Sequence, residues 1–262
     1  MECQKIVDRI VGWLDDYAAG CGAEGFVVGI SGGIDSALCS TLAAMTGRKV
    51  LCVTLPIHQA AAQVSRGDEH IAWLKSKFPN VESATAELTA PYEALLTALP
   101  TTDNVARQQL TEANTRSRLR MTVLYYYAGL AGLLVVGTGN KIEDFGVGFY
   151  TKYGDGGVDI SPIADLTKSE VFSLTAHLGV CGSILEAKPT DGLFGDDRSD
   201  EDQIGASYPE LERAMAAWER GAVSEDFKGR EREVFDIFLR RNRANRHKME
   251  PIPICTIPTE WK

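Results

Sequence analysis

The chain has 262 residues, of which 44% are hydrophobic, and a formal net charge of −9. This length suits one large domain or two small ones with a sizeable core, and the acidic balance argues against a general nucleic-acid-binding protein. The most apolar stretch, residues 123–136, contains glycines and is shorter than the roughly 20 residues that a membrane-spanning helix needs. We therefore expect a protein that neither crosses a membrane nor binds nucleic acid.

Six cysteines are scattered along the chain without a C-x-x-C pair. This pattern fits a reducing cytosol better than a disulfide framework or a zinc site. Cys39 and Cys52 have apolar neighbours in the sequence and are predicted to be buried thiols. The first residues are typical of an amphipathic helix and not of a signal peptide, so the sequence indicates a cytoplasmic protein.

Helices alternate with short apolar strands from the start of the chain. Ile6, Ile10 and Leu14 recur at helical spacing and predict a helix over residues 2–18. Strands are predicted at 26–30, 50–55, 81–85 and 133–136, and helices at 36–46, 66–77, 92–98, 104–128 and, behind a Thr167-x-x-Glu170 capping box, up to about 179. Continuous apolar strands between helices indicate a parallel sheet covered on both faces. The predicted fold class is α/β, a single-domain, Rossmann-like, doubly wound sheet that binds ligands at the carboxyl ends of its strands.

A glycine-rich turn at residues 31–36, Ser-Gly-Gly-Ile-Asp-Ser, joins the first predicted strand to the next helix. Its adjacent glycines permit positive φ and a close approach of a ligand, and the free N–H groups of a helix start favour an anion such as phosphate. Asp35 would repel that phosphate unless it holds a divalent cation that bridges to phosphate oxygens. The turn matches neither a Walker A loop nor G-x-G-x-x-G. The alternative is a plain turn with Asp35 or Ser36 as the helix N-cap.

Later segments are candidates for the same site. Residues 137–144 follow the fourth predicted strand at its carboxyl end, although a polar loop would also account for them. Residues 149–162 contain three aromatic and several charged side chains, which can stack on and hydrogen-bond a flat ligand or form a surface turn. The basic run at 240–248 fits local cations for an anionic substrate, a nucleic-acid patch or a solvated helix end. The acidic stretch at 192–205 fits a solvated loop or a mobile lid.

The turn at 31–36 resembles the pyrophosphate loop of N-type ATP pyrophosphatases, and the chain as a whole resembles ammonia-dependent NAD synthetases. The other matching segments are Gly-Thr-Gly-Asn-Lys-Ile-Glu-Asp at 137–144, Phe-Tyr-Thr-Lys-Tyr-Gly-Asp-Gly-Gly at 149–157, Lys-Pro-Thr-Asp-Gly-Leu at 188–193, Asp-Glu-Asp-Gln-Ile-Gly-Ala-Ser-Tyr at 200–208 and His247-Lys248. They span nearly the whole chain in the family's order. The segment at 149–157 is the most specific of them.

This resemblance implies a ligase that performs the last step of NAD biosynthesis. The nicotinate carboxylate of deamido-NAD attacks the α-phosphate of ATP and releases pyrophosphate, and ammonia then displaces AMP to give NAD. Because a free carboxylate is a poor acyl donor, adenylation is required, and catalysis depends on positioning and on neutralising phosphate charge. The resemblance also implies Mg²⁺ and a homodimer with the substrate site at its interface. The helix at 104–128 is the candidate interface helix.

The family's site residues carry over to matching positions of this sequence. The implied ATP contacts are Gly29, Ile30, Ser31, Gly32, Gly33, Ile34, Asp35, Ser36, Thr138, Lys168 and Thr190, of which Asp35 and Lys168 are also the implied catalytic residues. The implied magnesium ligands are Asp35 and Glu143, with Asp144 as the alternative to Glu143 because the stretch between Thr138 and Lys152 looks one residue longer than in shorter members. The implied deamido-NAD contacts are Arg118, Lys152, Asp159, His247 and Lys248.

Two of these assignments have alternatives from the residues alone. Arginines two apart point to different sides of a helix, so Arg116 is the alternative to Arg118 as a substrate contact. Lys168 equally fits an exposed helix surface when the family is set aside.

The nitrogen donor is expected to be free ammonia, unless a separate partner supplies it. Glutamine-dependent relatives carry an additional amidase domain, for which 262 residues leave no room, so one domain over residues 1–262 without a glutaminase is expected. One competing hypothesis is another adenylating enzyme of the same fold, such as a GMP synthetase or a tRNA-thiolating enzyme. The other is a nucleotide-binding sensor without chemistry, against which the presence of Asp35, Glu143 and Lys168 argues.

Overall fold

Four parallel strands form one sheet in the computed structural model, which describes residues 1–187 and 199–262. They are β1 (Gly25–Gly29), β2 (Lys49–Thr54), β3 (Val81–Thr85) and β4 (Leu133–Val135), in the order β3-β2-β1-β4. A parallel bridge between Val136 and Ile160 lies beside this sheet. The observed strands agree with the predicted ones to within a residue. β1, β2 and β4 are runs of β-branched and apolar residues, whereas β3 is more polar and mostly exposed.

Helices surround this sheet. They are α1 (Cys3–Cys21), α2 (Ile34–Met45), α3 (Ala61–Lys77), α4 (Thr89–Thr97), α5 (Val105–Ala131), α6 (Lys168–His177), α7 (Gly182–Leu185), α8 (Asp200–Ile204), α9 (Tyr208–Glu219) and α10 (Gly229–Met249). A π-helix spans Ile142–Val147, and 3₁₀ turns span Ser224–Asp226 and Thr259–Trp261. The capping box at Thr167 and Glu170 is confirmed at the start of α6. Within the described part of the chain, none of these helices is long and apolar enough to cross a bilayer.

Both faces of the sheet are covered, as a doubly wound fold requires. On one face, Phe26, Val28 and Cys52 pack with apolar residues of α1, α2 and α6. On the other face, Val27 and Leu51 pack with residues of α4 and α5. Because successive strand residues point to opposite faces, the continuous apolar runs supply both cores. The predicted α/β fold is confirmed.

A third apolar cluster, which the sequence did not predict, lies in the C-terminal part of the chain. Here α8, α9 and α10 pack on the π-helix through residues that include Ile142, Leu211, Phe235 and Phe238. The basic run at 240–248 occupies the last turns of α10. This layer fixes the position of the π-helix, which carries Glu143.

The two cysteines predicted to be buried are buried in the structure. Cys39 and Cys52 are both 0% exposed, and none of the six described cysteines forms a disulfide. Burial raises the pKa of the Cys52 thiol to about 12, and it raises the pKa of Cys39 as well. Both side chains therefore act as small apolar core residues.

His70 on α3 is a buried neutral imidazole, which predicts a pH-dependent stability. Its ring is 0% exposed, stacks on Trp73 and shares a hydrogen bond of 2.9 Å between Nε2 and Ser40 Oγ. Burial lowers the pKa of His70 from 6.5 to about 4. The unfolded chain binds a proton below pH ~6.5 and the folded chain does not until pH ~4, so the stabilising contribution is complete above pH 6.5 and is lost as the pH falls between these values. The loss amounts to about 3 kcal/mol.

The measurement is the free energy of urea unfolding between pH 4 and 8, compared between the wild type and His70→Gln. The difference between the two curves is expected to follow the titration of one histidine. His177→Asn is the matched control, since His177 is exposed, and it should reproduce the wild-type pH dependence. Parallel curves for the wild type and His70→Gln would contradict the prediction.

Candidate active site

A cavity of about 350 Å³ opens at the carboxyl ends of β1, β2 and β4. Its walls include the turn after β1, residues 54–56 after β2, and Thr138 and Gly139 after β4. Lys168, at the first position of α6, also lines it. The cavity therefore lies where parallel strands were expected to place a ligand.

The turn at 31–36 has a geometry that requires glycine at position 32. Gly32 has a φ of +80°, and a Cβ atom there would lie 2.5 Å from the backbone oxygen of Gln63 on α3. The hydroxyl oxygens of Ser31 and Ser36 are 3.1 Å apart, and Ser36 Oγ also donates to the carbonyl oxygen of Gly33 at 2.9 Å. Gly33, and neither Asp35 nor Ser36, is the N-cap of α2. The N-terminus of α2 thus faces the cavity as an anion site would require.

Lys168 bridges two carboxylates at the bottom of this site. Its Nζ lies 2.5 Å from Asp35 Oδ2 and 3.0 Å from Glu143 Oε1, and the side chain is 4% exposed. Burial alone would lower the pKa of Lys168, but Asp35 and Glu143 raise it above its ordinary value. Lys168 therefore remains an ammonium ion, and one positive charge faces two carboxylates.

Asn140 and Tyr208 hold these carboxylates in place, and neither was singled out from the sequence. Asn140 donates from Nδ2 to Asp35 Oδ1 at 3.1 Å, and its Oδ1 accepts from the backbone N–H groups of Ile142 and Glu143 at 3.1 Å each. The Tyr208 hydroxyl donates to Glu143 Oε1 at 2.5 Å. Both residues lie within the segments that carry the family resemblance, which is the signal that would have found them.

The donor set fits a magnesium ion held by two carboxylates. Among the described residues, no three His, Cys, Asp or Glu side chains are grouped as a complete metal site. Magnesium usually needs only one or two carboxylates, since water and substrate phosphates supply its other ligands. Glu143 shares Lys168 with Asp35, whereas no ion pair joins Asp144 to Lys168 in the described part of the chain. Asp35 and Glu143 are therefore the better-matched pair.

Four of the five expected deamido-NAD residues lie together beside the cavity. Lys152 Nζ donates to the carbonyl oxygen of His247 at 2.6 Å, and Arg118 Nε donates to that of Lys152 at 3.2 Å. Lys248 Nζ donates to the backbone oxygens of Gly148 and Tyr150 at 2.8 and 2.7 Å. These contacts join α5, the 149–157 segment and the end of α10 into one cationic cluster.

The remaining expected substrate residue, Asp159, lies apart from this cluster. Its carboxylate accepts from the Tyr125 hydroxyl at 2.9 Å and from the backbone N–H of Val135 at 2.8 Å. Arg116, the alternative to Arg118, places its guanidinium over the Tyr92 ring at 5.2 Å. The two arginines thus point to different sides of α5.

Two further arginines line the cavity and were not assigned from the sequence. Arg120 donates to the carbonyl oxygen of Leu55 at 3.0 Å and to Gln59 Oε1 at 2.8 Å. Arg66 donates from Nε to the carbonyl oxygen of Gly32 at 3.4 Å. No local pattern marks these residues, because only the packing of α3 and α5 brings them to the cavity.

Two expectations fall partly or wholly outside the described residues. Thr190, an expected ATP contact, lies outside them, as do residues 192–198 of the stretch that fits a loop or a lid. The rest of that stretch contains α8, whose N-cap is Ser199 with a capping box to Asp202. Asp200 on α8 lines the cavity.

Comparison with known proteins identifies the family of this chain. The NAD synthase family model matches residues 6–252. The NH(3)-dependent NAD(+) synthetase of Methanosarcina mazei is 36% identical over 261 residues, with 97% of this chain and 98% of the relative covered. A solved structure of NMN synthetase from Francisella tularensis has a TM-score of 0.83 at 30% identity, with 99% of each chain covered. The NH3-dependent NAD synthetase from Campylobacter jejuni has a TM-score of 0.78 at 25% identity, with 98% and 100% covered.

Sequence identity over nearly the full length, the shared fold and the glycine turn with its bridged carboxylates all agree. The chain belongs to the NAD synthase family.

Proposed function

We propose that this chain adenylates the nicotinate carboxylate of deamido-NAD with ATP and amidates it with ammonia, giving NAD, AMP and pyrophosphate. The observation that carries the proposal is the Asp35–Lys168–Glu143 bridge at the mouth of a glycine-rich turn, in a member of this family. An ATP-cleaving ligase must stabilise a leaving pyrophosphate, and two carboxylates beside an ammonium ion can hold a divalent cation for that purpose.

The turn at 31–36 would bind the phosphates through its N–H and hydroxyl groups. Asp35 and Glu143 would hold Mg²⁺, which when bound supplies positive charge to the pyrophosphate. Lys168 keeps its proton and offsets one of the two carboxylate charges. In the first step a carboxylate oxygen of the substrate bonds to the α-phosphorus and the bond to pyrophosphate breaks. In the second, ammonia bonds to the carbonyl carbon, loses one proton, and AMP leaves.

The proposal is tested by incubating purified protein with ATP, magnesium, deamido-NAD and either ammonium or glutamine. We expect NAD and pyrophosphate with ammonium as the nitrogen donor. Activity with glutamine alone would contradict ammonia as the donor. Pyrophosphate without NAD would indicate a different acceptor, and neither product would indicate a nucleotide-binding protein without chemistry.

Nicotinate mononucleotide is the second candidate substrate. It is favoured by one observation, the TM-score of 0.83 to a protein described as NMN synthetase. Curated relatives at 34% to 37% identity are described as NAD(+) synthetases, which favours deamido-NAD. The comparison of kcat/KM for the two substrates decides between them, and we expect the larger value for deamido-NAD.

A homodimer would complete the substrate site at one exposed face of α5. Tyr126 and Leu130 on this face are 66% and 68% exposed, and Arg118 lies on the same side of the helix. A twofold contact would bury both side chains and bring Arg118 to the interface. Sedimentation equilibrium at micromolar concentration should give twice the mass of one chain. The unpaired thiols further support a reducing compartment, and we propose the cytoplasm.

A further inference from the structure

Arg66 is held beside the turn at residues 31–36 by a close approach of α3. The backbone of Gln63 and Gly67 lies next to Gly32, where a Cβ would be 2.5 Å from Gln63 O and 3.3 Å from Gly67 N. Arg66 lies between these two α3 residues in sequence, lines the cavity and donates from Nε to Gly32 O at 3.4 Å. The close backbone contact therefore fixes the point on α3 from which the Arg66 side chain reaches the turn.

Most of the N–H donors of Arg66 are available to bind a ligand in the cavity. Lys168 is engaged by two carboxylates, and Arg120 donates to Leu55 and Gln59. Arg66 forms no ion pair within residues 1–187 and 199–262, and its only hydrogen bond there uses Nε. A guanidinium carries five N–H donors, so the four on its two Nη atoms remain for a ligand.

Acidic side chains outnumber basic ones in the cavity wall, where the basic residues are Arg66, Arg120 and Lys168. Carboxylates that line it are Asp35, Asp68, Glu143, Asp144, Asp155 and Asp200. ATP would add several further negative charges in the same space. An arginine beside the turn at 31–36 offsets part of this charge with the geometry that matches phosphate oxygens in pairs.

We infer that Arg66 is a phosphate-binding residue of this site, whose Nη groups bind the β- and γ-phosphates of ATP and stay with the pyrophosphate as it leaves. The inference rests on the proposed function, since it takes ATP to be the ligand. It adds a residue from α3 to a phosphate site otherwise built from α2, the π-helix and α6.

The experiment measures binding of ATP, inorganic pyrophosphate and AMP by calorimetry to the full-length wild type, Arg66→Met and Arg66→Lys. We expect Arg66→Met to weaken ATP and pyrophosphate at least about tenfold and to leave AMP unchanged, because AMP lacks the β- and γ-phosphates. The affinity of Arg66→Lys for ATP and pyrophosphate should fall between those of the wild type and Arg66→Met, since lysine keeps the charge but loses the paired donors. Lys75→Met is the matched control, because it removes one charge from the same helix where Nζ bonds Ser83 at 2.7 Å, outside the cavity.

Equal binding of pyrophosphate by the wild type and Arg66→Met would overturn the inference and leave the proposed function standing. So would an equal loss for AMP and ATP together with a lowered melting temperature, which would show that Arg66 only supports the Gly32 turn. A folded wild type that binds neither ATP nor pyrophosphate would overturn both the inference and the proposed function.

Discussion

Asp35→Asn is expected to reduce pyrophosphate release by on the order of a hundred- to a thousandfold, the range seen when one preorganised electrostatic group is removed. Asp35, in the first turn of α2, joins three parts of the site. Its carboxylate lies 2.5 Å from Lys168 Nζ at the start of α6 and 3.1 Å from Asn140 Nδ2 before the π-helix. Asparagine keeps the size of the side chain but removes the charge that a metal ion and the ammonium require. The measurement is a continuous pyrophosphate assay with ATP, deamido-NAD and ammonium over a range of magnesium concentrations.

The free energy of unfolding is the control that distinguishes a loss of catalysis from a loss of folded structure. Removing the Asp35 charge leaves Glu143 as the carboxylate paired with Lys168, so urea unfolding of Asp35→Asn is measured beside the assay, and its loss of turnover is assigned to chemistry where the variant is folded at the assay temperature. Asp15→Asn is the matched variant, because Asp15 on α1 pairs with Arg48, between α2 and β2, and does not line the cavity. It should retain wild-type turnover. Turnover by Asp35→Asn within a few-fold of the wild type would contradict the assigned role.

The sheet could be predicted because its signals are local. Three of the four strands are short apolar runs, and a glycine or proline near the end of each marks where the chain leaves the sheet, as with Gly29 at the end of β1 and Pro56 after β2. Two candidate segments followed directly after strands, so parallel-sheet geometry alone placed them at one edge. The cavity lies at that edge.

The electrostatics of the site could not be predicted from local patterns. Lys168 and Asp35 are 133 residues apart in sequence, and Lys168 at a helix start fits an exposed surface equally well until the fold buries it. The resemblance to the family supplied this assignment, not the periodicity. Arg66 shows the same limit, because its helix was predicted from apolar spacing while its contact with Gly32 arises only when α3 packs against the turn after β1.

Gly32→Ala is expected to weaken ATP binding at least tenfold and to lower the free energy of unfolding by about 1–3 kcal/mol. Two independent causes act at this position. The φ of +80° is one that alanine adopts only with strain, and the new methyl group would lie 2.5 Å from the carbonyl oxygen of Gln63, a backbone atom that cannot rotate away. Either the turn or the start of α3 must shift. The measurements are calorimetric ATP binding and urea unfolding.

Gly12→Ala provides the matched glycine substitution. Gly12 lies inside α1, its φ is not positive, and a Cβ there would meet nothing within 4 Å. Alanine should therefore stabilise α1 by roughly 0.5–1 kcal/mol and leave ATP binding unchanged. Because the two variants add the same methyl group, opposite signs of their effect on unfolding would assign the cost at Gly32 to its backbone geometry and its contact with α3. If both variants were stabilised and Gly32→Ala bound ATP as the wild type does, the turn would tolerate a side chain. The close packing of α3 on the turn at 31–36 would then not be needed for ATP binding.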